Sequence, residues 1–153
     1  MNKKSEIEGA GTDAAARLQA ERFQRVREAH QTELAEDYVE LIADLHDSLG
    51  EARVVDLATR LGVSSATVNN ALQRLQRDGL VSTKPYRSIF LTDEGHDLAV
   101  AARERHSVVR EFLISLGVDA ATADADAEGI EHHVSAASLD AFRAHLRRHK
   151  KGR

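Results

Sequence analysis

The chain has no cysteine and no tryptophan, and its 153 residues include one proline, two tyrosines and four phenylalanines. Without thiols it cannot form a disulfide scaffold, a thiolate zinc finger or an iron–sulfur site, and it has no cysteine nucleophile. Few aromatic residues and a single proline favour a helical protein over a β-sandwich, whose strands are usually rich in aromatic residues.

Long hydrophobic runs are also missing. No apolar run approaches the roughly 18 residues that a membrane-spanning helix needs, and residues 1–11 lack the apolar core of a signal peptide. We therefore expect a cytoplasmic protein with no membrane partner. Apolar residues at 42% and charged residues at 30% are typical of a globular chain, and the length allows one domain or two small lobes that share a core.

Charge is unevenly distributed along the chain, although the formal net charge is −4. Residues 53–90 carry six basic and two acidic side chains, whereas residues 91–140 carry three basic and eleven acidic ones. A short basic segment between two acidic ones indicates that local charge decides which partner binds there.

The first half of the chain predicts an arm followed by a long helix. Residues 1–21 are polar and small without apolar periodicity, which predicts a flexible N-terminal arm. From about residue 21 to residue 49, apolar side chains recur every three or four positions, which predicts one helix that ends at Gly50. Its apolar stripe consists of Leu34, Tyr38, Leu41, Ile42, Leu45 and Leu49.

Residues 22–91 are predicted to form a winged helix-turn-helix DNA-binding domain. Two short helices are joined by a turn at Gly62, and Ser64 is the expected N-cap of the second helix. Two strand-like runs follow, with Pro85 at the bend of a small β-hairpin. Helix, turn, helix and hairpin in this order are typical of such a domain. The second helix is expected to bury Val68, Leu72 and Leu75.

The opposite face of that second helix carries small or hydrogen-bonding side chains and no carboxylate. Its amides are suited to adenine edges and its small side chains to thymine methyl groups, while nearby basic residues are suited to phosphate. A helical hairpin with a solvated polar face would give the same pattern without DNA, but the hairpin and the local positive charge favour DNA. The predicted DNA-binding residues are Arg53, Ser64, Ala66, Thr67, Asn69, Asn70, Gln73, Arg74, Arg77, Lys84, Tyr86 and Arg87.

Residues 92–148 are predicted to form a second, wholly helical lobe, followed by a basic tail at residues 149–153. Thr92 before two acidic residues indicates a helix start, and the apolar pattern carries this helix to Gly117. Two further helices are expected, at residues 119–129 and from about Ser135 onward. The predicted fold class is therefore mainly α with a small β-hairpin wing.

Five carboxylate and imidazole side chains fall at spacings that place them on two shared helix faces, and a sixth, a histidine, lies in mid-helix between them in the sequence. If they converge, their four carboxylates carry about four negative charges, which two divalent cations would balance. Oxygen donors with imidazole and without sulfur suit manganese or ferrous iron better than copper or structural zinc. Taken separately, the pair of Asp37 and Glu40 matches a solvated helix face, and His106 alone matches a packed or capping side chain. The six are Asp37, Glu40, His106, Glu128, Glu131 and His132.

The other histidines are not predicted to bind metal. His133 points about 100° away from the face of its neighbour His132, which predicts a supporting or surface position. The remaining five show no paired partner and are expected to be solvated: His30, His46, His96, His145 and His149.

Several segments closely resemble the diphtheria toxin repressor (DtxR) family of metal-dependent regulators, over roughly residues 22–148. They are EDYVELIADL, RERHSVVREFLISLGV, DAEGIEHHVS, ARLGVSSATVNNALQRLQRDGLV and YRSIFLTDEG. Carried over to this chain, the family's binuclear manganese site would consist of the six residues named above. Iron-responsive relatives typically place Met where Asp37 stands and Cys where Glu128 stands, so this sequence resembles the manganese-responsive branch.

The resemblance implies a homodimer, with residues 92–148 as its metal-binding and dimerisation domain. It also implies two manganese(II) ions per subunit and binding to double-stranded, pseudo-palindromic operator DNA when metal is present. The expected function is a transcriptional repressor of manganese uptake genes that also activates export, and not an enzyme. The alternatives are a winged-helix regulator that responds to iron or an organic effector, and a small di-metal helical enzyme.

Overall fold

The computed structural model describes the backbone of residues 3–84 and 87–151, and the side chains of residues 13–84 and 87–150. None of the described helices is long and apolar enough to cross a membrane. The predicted fold class, mainly α with a two-stranded wing, is confirmed. The elements are α1 (Lys3–Leu49), α2 (Val54–Leu61), α3 (Ser65–Arg77), β1 (Val81–Ser82), β2 (Phe90–Leu91), α4 (Asp93–Ser115), α5 (Ala120–Ile130) and α6 (Ala136–Lys151).

Helix α1 is longer than its apolar pattern predicts. It begins at Lys3 rather than near residue 21, because strong helix formers such as Ala, Glu, Arg and Gln dominate residues 13–28. All side chains of residues 13–28 are exposed. Leu34 and Leu49 were expected in the apolar stripe and are exposed instead, since α1 packs against the other elements mainly between these two positions. The flexibility of residues 1–21 stays a prediction, and residues 1–2 lie outside the described part.

The C-terminal part of α1 forms the core of the predicted DNA-binding lobe together with α2, α3 and the wing. Tyr38, Ile42 and Leu45 of α1 are buried against Leu57 of α2 and Val81 of β1. The predicted buried face of α3 is confirmed and also includes a small residue; it consists of Val68, Ala71, Leu72 and Leu75.

Both predicted signals at the helix-turn-helix turn are confirmed. Gly62 ends α2 with a φ of 67°, in the left-handed region that favours glycine. Ser64 caps α3, and its hydroxyl oxygen accepts a hydrogen bond from the backbone N–H of Thr67 at 3.1 Å. The turn therefore fixes the direction of α3 relative to α2.

The wing pairs β1 with β2 in an antiparallel register of Val81 with Leu91 and Ser82 with Phe90. His46 was expected to be solvated, but its Nε2 lies 2.6 Å from the carbonyl oxygen of Ile89, just before β2. This hydrogen bond joins the end of α1 to the wing. The predicted bend at Pro85 lies outside the described residues.

Thr92 joins the wing to α4 without an intervening loop. Its hydroxyl caps α4 by accepting a hydrogen bond from the N–H of Gly95 at 3.1 Å, and it donates to the carbonyl oxygen of Gly79 at 2.6 Å. The N–H of Thr92 also donates to the carbonyl oxygen of Leu80 at 3.1 Å. Gly95 lies so close to this loop that a Cβ atom there would meet the Leu80 oxygen at 2.0 Å.

Helices α4, α5 and α6 form the second lobe. Val109, Ala127 and Leu139 are buried together, one from each helix, and the rings of Phe112 and Phe142 stack with their centroids 4.0 Å apart. α6 continues as a helix to Lys151, through part of the predicted basic tail; residues 152–153 lie outside the described part.

His145 is a further correction among the histidines expected to be solvated. Its Nε2 lies 3.1 Å from the hydroxyl of Ser115, at the end of α4, and its ring packs edge-on against Phe112. The contact joins α6 to α4, which the spacing of histidines along the sequence does not reveal.

Candidate metal centre and nucleic-acid interface

Three helices bring the six predicted ligands together. Asp37 and Glu40 lie one turn apart on α1, and His106 lies in the middle of α4. The other three follow at the end of α5, where Glu131 is the C-cap residue and His132 lies in the turn beyond it.

Glu131 lies between the two imidazoles and directs one oxygen towards each. Its Oε2 is 2.7 Å from Nδ1 of His106, and its Oε1 is 3.7 Å from Nε2 of His132. The same Nδ1 of His106 lies 3.7 Å from Oε1 of Glu128, and ligand atoms of these three side chains of α4 and α5 all lie within 4.8 Å of one another. Nε2 of His132 lies 3.3 Å from Oδ1 of Asp37 on α1.

Glu40 belongs to the same cluster by its electrostatics. Burial raises its pKa from 4.5 to about 7, and repulsion from Glu131, Glu128 and Asp37 adds to the effect. Burial also raises the pKa of Asp37 and of Glu131. The cluster therefore favours bound protons or bound cations over four free carboxylates.

The histidines respond to the same negative charge. Burial alone would lower the pKa of His106, but the nearby Glu131 and Glu128 raise it above its ordinary value. For His132, burial is likewise outweighed, by the hydrogen bond to Glu36 and the charge of Asp37. Both imidazoles therefore hold a proton more tightly than in water.

The residues fit a divalent metal ion. Glu131 is only 2% exposed, and although its Oε2 lies close to His106, this buried oxygen has no hydrogen-bond partner of normal geometry among the described residues. A buried carboxylate oxygen without a partner is costly, and a coordinated cation would remove that cost. Oxygen donors from carboxylates combined with two imidazoles suit manganese or ferrous iron.

Glu36 is a functional residue that the sequence reasoning missed. It is 8% exposed, its Oε2 accepts a hydrogen bond from Nδ1 of His132 at 2.6 Å, and its Oε1 forms an ion pair with Arg105 at 2.6 Å. A carboxylate on Nδ1 leaves Nε2 of His132 free for a metal and fixes the ring. Its position one turn before Glu40 was the available signal.

Two histidines outside the six, His30 and His133, lie beside each other. His30 is exposed, as expected, but it has a partner that was not predicted, since its Nδ1 lies 3.0 Å from Oε2 of Glu33. His133 lies beside both, with its ring 5.0 Å from that of His30. The spacing of α1 reveals the pair of His30 and Glu33, but not the approach of His133.

The predicted DNA-binding side chains that the structure describes are all exposed. Five of them line a groove of about 800 Å³ between α3, the start of α2 and the wing. The groove combines the amides of α3 with three basic side chains, in the arrangement expected for base and phosphate contacts. These five are Arg53, Asn69, Gln73, Lys84 and Arg87.

The other predicted DNA-binding residues lie outside this groove. Arg74 faces α1 and lines a different cavity together with Tyr38 and Asp78, and Ser64 uses its oxygen to cap α3. Tyr86 lies outside the described residues. The remaining four are exposed along α3: Ala66, Thr67, Asn70 and Arg77.

The groove also contains a residue pair that was not predicted. The hydroxyl of Thr83 donates a hydrogen bond to Oε1 of Gln76 at 2.9 Å. This hydrogen bond connects α3 to the wing, the two elements that form the groove. Gln76 lies one turn after Gln73 on the polar face of α3, and this spacing was the signal available in the sequence.

Comparison with known proteins agrees with this geometry. Residues 30–89 match the N-terminal DNA binding domain of iron dependent repressors, and residues 92–151 match their metal binding and dimerisation domain. The Transcriptional regulator MntR of Escherichia coli O6:H1 is 55% identical over 129 residues, which cover 84% of this chain and 83% of the relative. The HTH-type transcriptional regulator MntR of Listeria welshimeri is 39% identical, over a match that covers 69% of this chain and 74% of the relative.

Solved structures share the fold. A manganese-dependent transcriptional repressor in complex with manganese has a TM-score of 0.66 at 32% identity, over 73% of this chain and 52% of that one. The manganese regulator SloR has a TM-score of 0.65 at 25% identity, over 74% of this chain and 53% of that one. The chain therefore spans about half the length of these solved relatives.

The matched families are transcriptional regulators and not enzymes, so the alternative of a di-metal enzyme is not supported. They combine a DNA-binding domain with a metal-binding and dimerisation domain, which makes DNA and a second copy of the chain its partners. The chain belongs to the iron-dependent repressor family, the MntR and DtxR group of metal-dependent, DNA-binding transcriptional regulators.

Proposed function

We propose that the chain is a manganese(II)-dependent repressor of manganese uptake genes. One observation carries the proposal: donor side chains from α1, α4 and α5 converge around the buried carboxylate of Glu131. Two similar solved structures are of a manganese regulator and a manganese-dependent repressor, which supports this ion over others.

We propose two manganese ions per subunit, because four ionised carboxylates carry four negative charges and two divalent cations balance them. When bound, the ions supply positive charge that allows all four carboxylates to be ionised together. Glu36 would hold His132 in the orientation that presents Nε2 to the centre. The proposed ligands are Asp37, Glu40, His106, Glu128, Glu131 and His132.

Helix α1 would transmit the state of this centre to DNA. Asp37 and Glu40 alternate along it with Tyr38 and Ile42, which pack into the DNA-reading lobe. Ligands on α4 and α5 would therefore hold this helix at one angle when the charges are balanced. Without that balance, the carboxylates repel one another and the lobe samples other angles. The shift in population is limited by how much more tightly metal binds the DNA-competent form, and DNA must strengthen metal binding by the same factor.

The domain division follows from this proposal. Residues 22–91 would read DNA and residues 92–148 would dimerise, with residues 1–21 as an arm and 149–153 as a basic tail. In a dimer, two copies of α3 would enter major grooves of a pseudo-palindromic operator about 34–36 Å apart, or a multiple of that distance. A regulator that contacts the bacterial chromosome acts in the cytoplasm, which we propose as its location.

The test is fluorescence anisotropy with a labelled promoter fragment of a manganese transporter gene. Purified full-length protein is titrated into the DNA with chelator alone, or with manganese, ferrous iron or zinc. We expect manganese to strengthen binding at least tenfold. His132→Ala should abolish this gain, whereas His96→Ala, at an exposed position of α4, should keep it.

Two outcomes would contradict the proposal. Equal binding with chelator and with manganese would favour an organic effector. A gain with ferrous iron that exceeds the gain with manganese would assign the chain to iron instead.

A further inference from the structure

A second group of possible metal ligands lies beside the centre, on residues that the proposed function does not use. His30 and Glu33 lie one turn apart on α1, and His133 lies in the turn after α5. One ligand atom from each of these three side chains lies within 4.8 Å of the others. All three are reachable from solvent, with side chains 63%, 31% and 35% exposed, respectively.

Only the shorter of the two distances between a histidine and Glu33 is a hydrogen bond, and both are compatible with a shared cation. Nδ1 of His30 and Nε2 of His133 lie 3.0 and 3.8 Å from the same oxygen, Oε2 of Glu33. The second distance is too long for a hydrogen bond. Two ligand atoms on one tetrahedral zinc ion lie about 3.4 Å apart, because each bond is about 2.1 Å long. The two observed distances bracket this value.

We propose that His30, Glu33 and His133 form a further cation site for a borderline divalent ion of the zinc class, completed by water. Two imidazoles in a set of three donors favour such an ion over manganese. Arg22 and Arg25 line a cavity together with His133. The site therefore has no general negative potential, and a cation there would depend on coordination bonds.

The site would act on the same elements as the six-residue centre. Glu33 lies one turn before Asp37 on α1, and His133 directly follows His132. An ion bound to His30, Glu33 and His133 ties α1 to the turn after α5 a second time. The chain would thus bind zinc at a site separate from the centre proposed for manganese. This inference does not depend on whether that centre controls DNA binding.

The test compares metal content in full-length variants. Wild type, His30→Ala, Glu33→Gln and the control His96→Ala are dialysed against buffers of fixed free zinc up to about 10 μM, and bound zinc is measured by mass spectrometry. A parallel dialysis against manganese measures the six-residue centre. His30 lies on an exposed stretch of α1, so its substitution should leave the fold intact, which circular dichroism checks.

We expect wild type and His96→Ala to bind one zinc ion per chain more than His30→Ala and Glu33→Gln, with the manganese content of all four unchanged. Equal zinc in all four proteins overturns the site. Joint loss of zinc and manganese in His30→Ala also overturns it, because the substitution then acts on the six-residue centre and not on a separate one.

Discussion

Glu40→Gln should have opposite effects on the metal-free and the metal-bound protein. In the metal-free protein, the substitution removes one charge from a group of carboxylates that repel one another. In the presence of manganese, it removes a proposed ligand. If Glu40 had only a packing role, its substitution would change the free energy of unfolding in the same direction in the metal-free and the metal-bound protein.

The size of the first effect follows from the pKa of Glu40. Burial, and then repulsion from Glu131 and Glu128, raises it from 4.5 to about 7. A shift of this size sets an upper limit of about 3 kcal/mol, which partial solvent exposure reduces to about 1–2 kcal/mol. The folded state binds this proton more tightly than the unfolded state, so the stability is present below pH 4.5 and is lost as the pH rises towards 7. The raised pKa values of His106 and His132 act in the same direction.

The assay is urea unfolding followed by circular dichroism at pH 4.5 and pH 8, with chelator or with manganese. At pH 8 with chelator, Glu40→Gln should be more stable than wild type by about 1–2 kcal/mol, and at pH 4.5 the two should be nearly equal. At about 100 times its dissociation constant, manganese should stabilise wild type by about 2.7 kcal/mol for each ion bound and the variant much less. Glu21→Gln, at an exposed position of the same helix, should match wild type throughout.

Two results would refute this reasoning. If Glu40→Gln destabilises the metal-free protein at pH 8, the carboxylate makes a favourable contact there and is not under repulsion. If manganese stabilises the variant as much as wild type, Glu40 is not a ligand.

Four further substitutions test separate parts of the molecule. Glu128→Cys should shift the ranking of activating metals towards softer ions, and an unchanged ranking in DNA-binding assays would contradict its role as a ligand. Glu36→Gln should weaken manganese binding about 10–100-fold in calorimetry with the fold intact; unaltered affinity would refute it. Gly95→Ala should lower the free energy of unfolding by more than about 2 kcal/mol, whereas Gly129→Ala, which meets nothing within 4 Å, should not. Arg87→Ala should weaken binding to all DNA sequences and reduce the salt slope by about 1; changed base preference would exclude a phosphate contact.

The elements that could be predicted from the sequence are those with local signals. The buried face of α3 follows from apolar spacing, and Gly62 and Ser64 follow from backbone and capping preferences. These signals depend on residues within one or two turns, so no knowledge of the fold is needed. The start of α1 was predicted too late because apolar periodicity marks only the part of a helix that packs.

Five of the six proposed ligands could be found in the sequence by their spacing, as the pair of Asp37 and Glu40 and as the triplet of Glu128, Glu131 and His132, although the structure places His132 in the turn after α5. His106 stands alone on α4 and was assigned through the family resemblance. The convergence of the six could not be derived from spacing, since it depends on how α1, α4 and α5 pack. The structure brings them together around Glu131, and their role as ligands stays a proposal.

Contacts between elements far apart in the sequence could not be predicted. The hydrogen bond from His132 to Glu36 spans 96 positions, and that from His46 to the carbonyl oxygen of Ile89 spans 43. The close approach of Gly95 to Leu80 depends on how α4 meets the wing. In each case the residue type is compatible with an exposed helix position, and only its neighbours in space reveal its role.

The junction at Thr92 holds the wing and α4 in one relative orientation. A pivot there would break hydrogen bonds to Gly79, Leu80 and Gly95, at about 1 kcal/mol each, and would open the contact between Gly95 and Leu80. α1 meets the second lobe differently, through charged side chains such as the ion pairs of Arg103 with acidic residues of α1. Those exposed pairs can exchange partners at small cost, whereas the pair of Glu36 with Arg105 beside the metal ligands is largely buried. The contact of α1 with α4 therefore yields more readily near Asp44 and Asp47 than at the proposed centre.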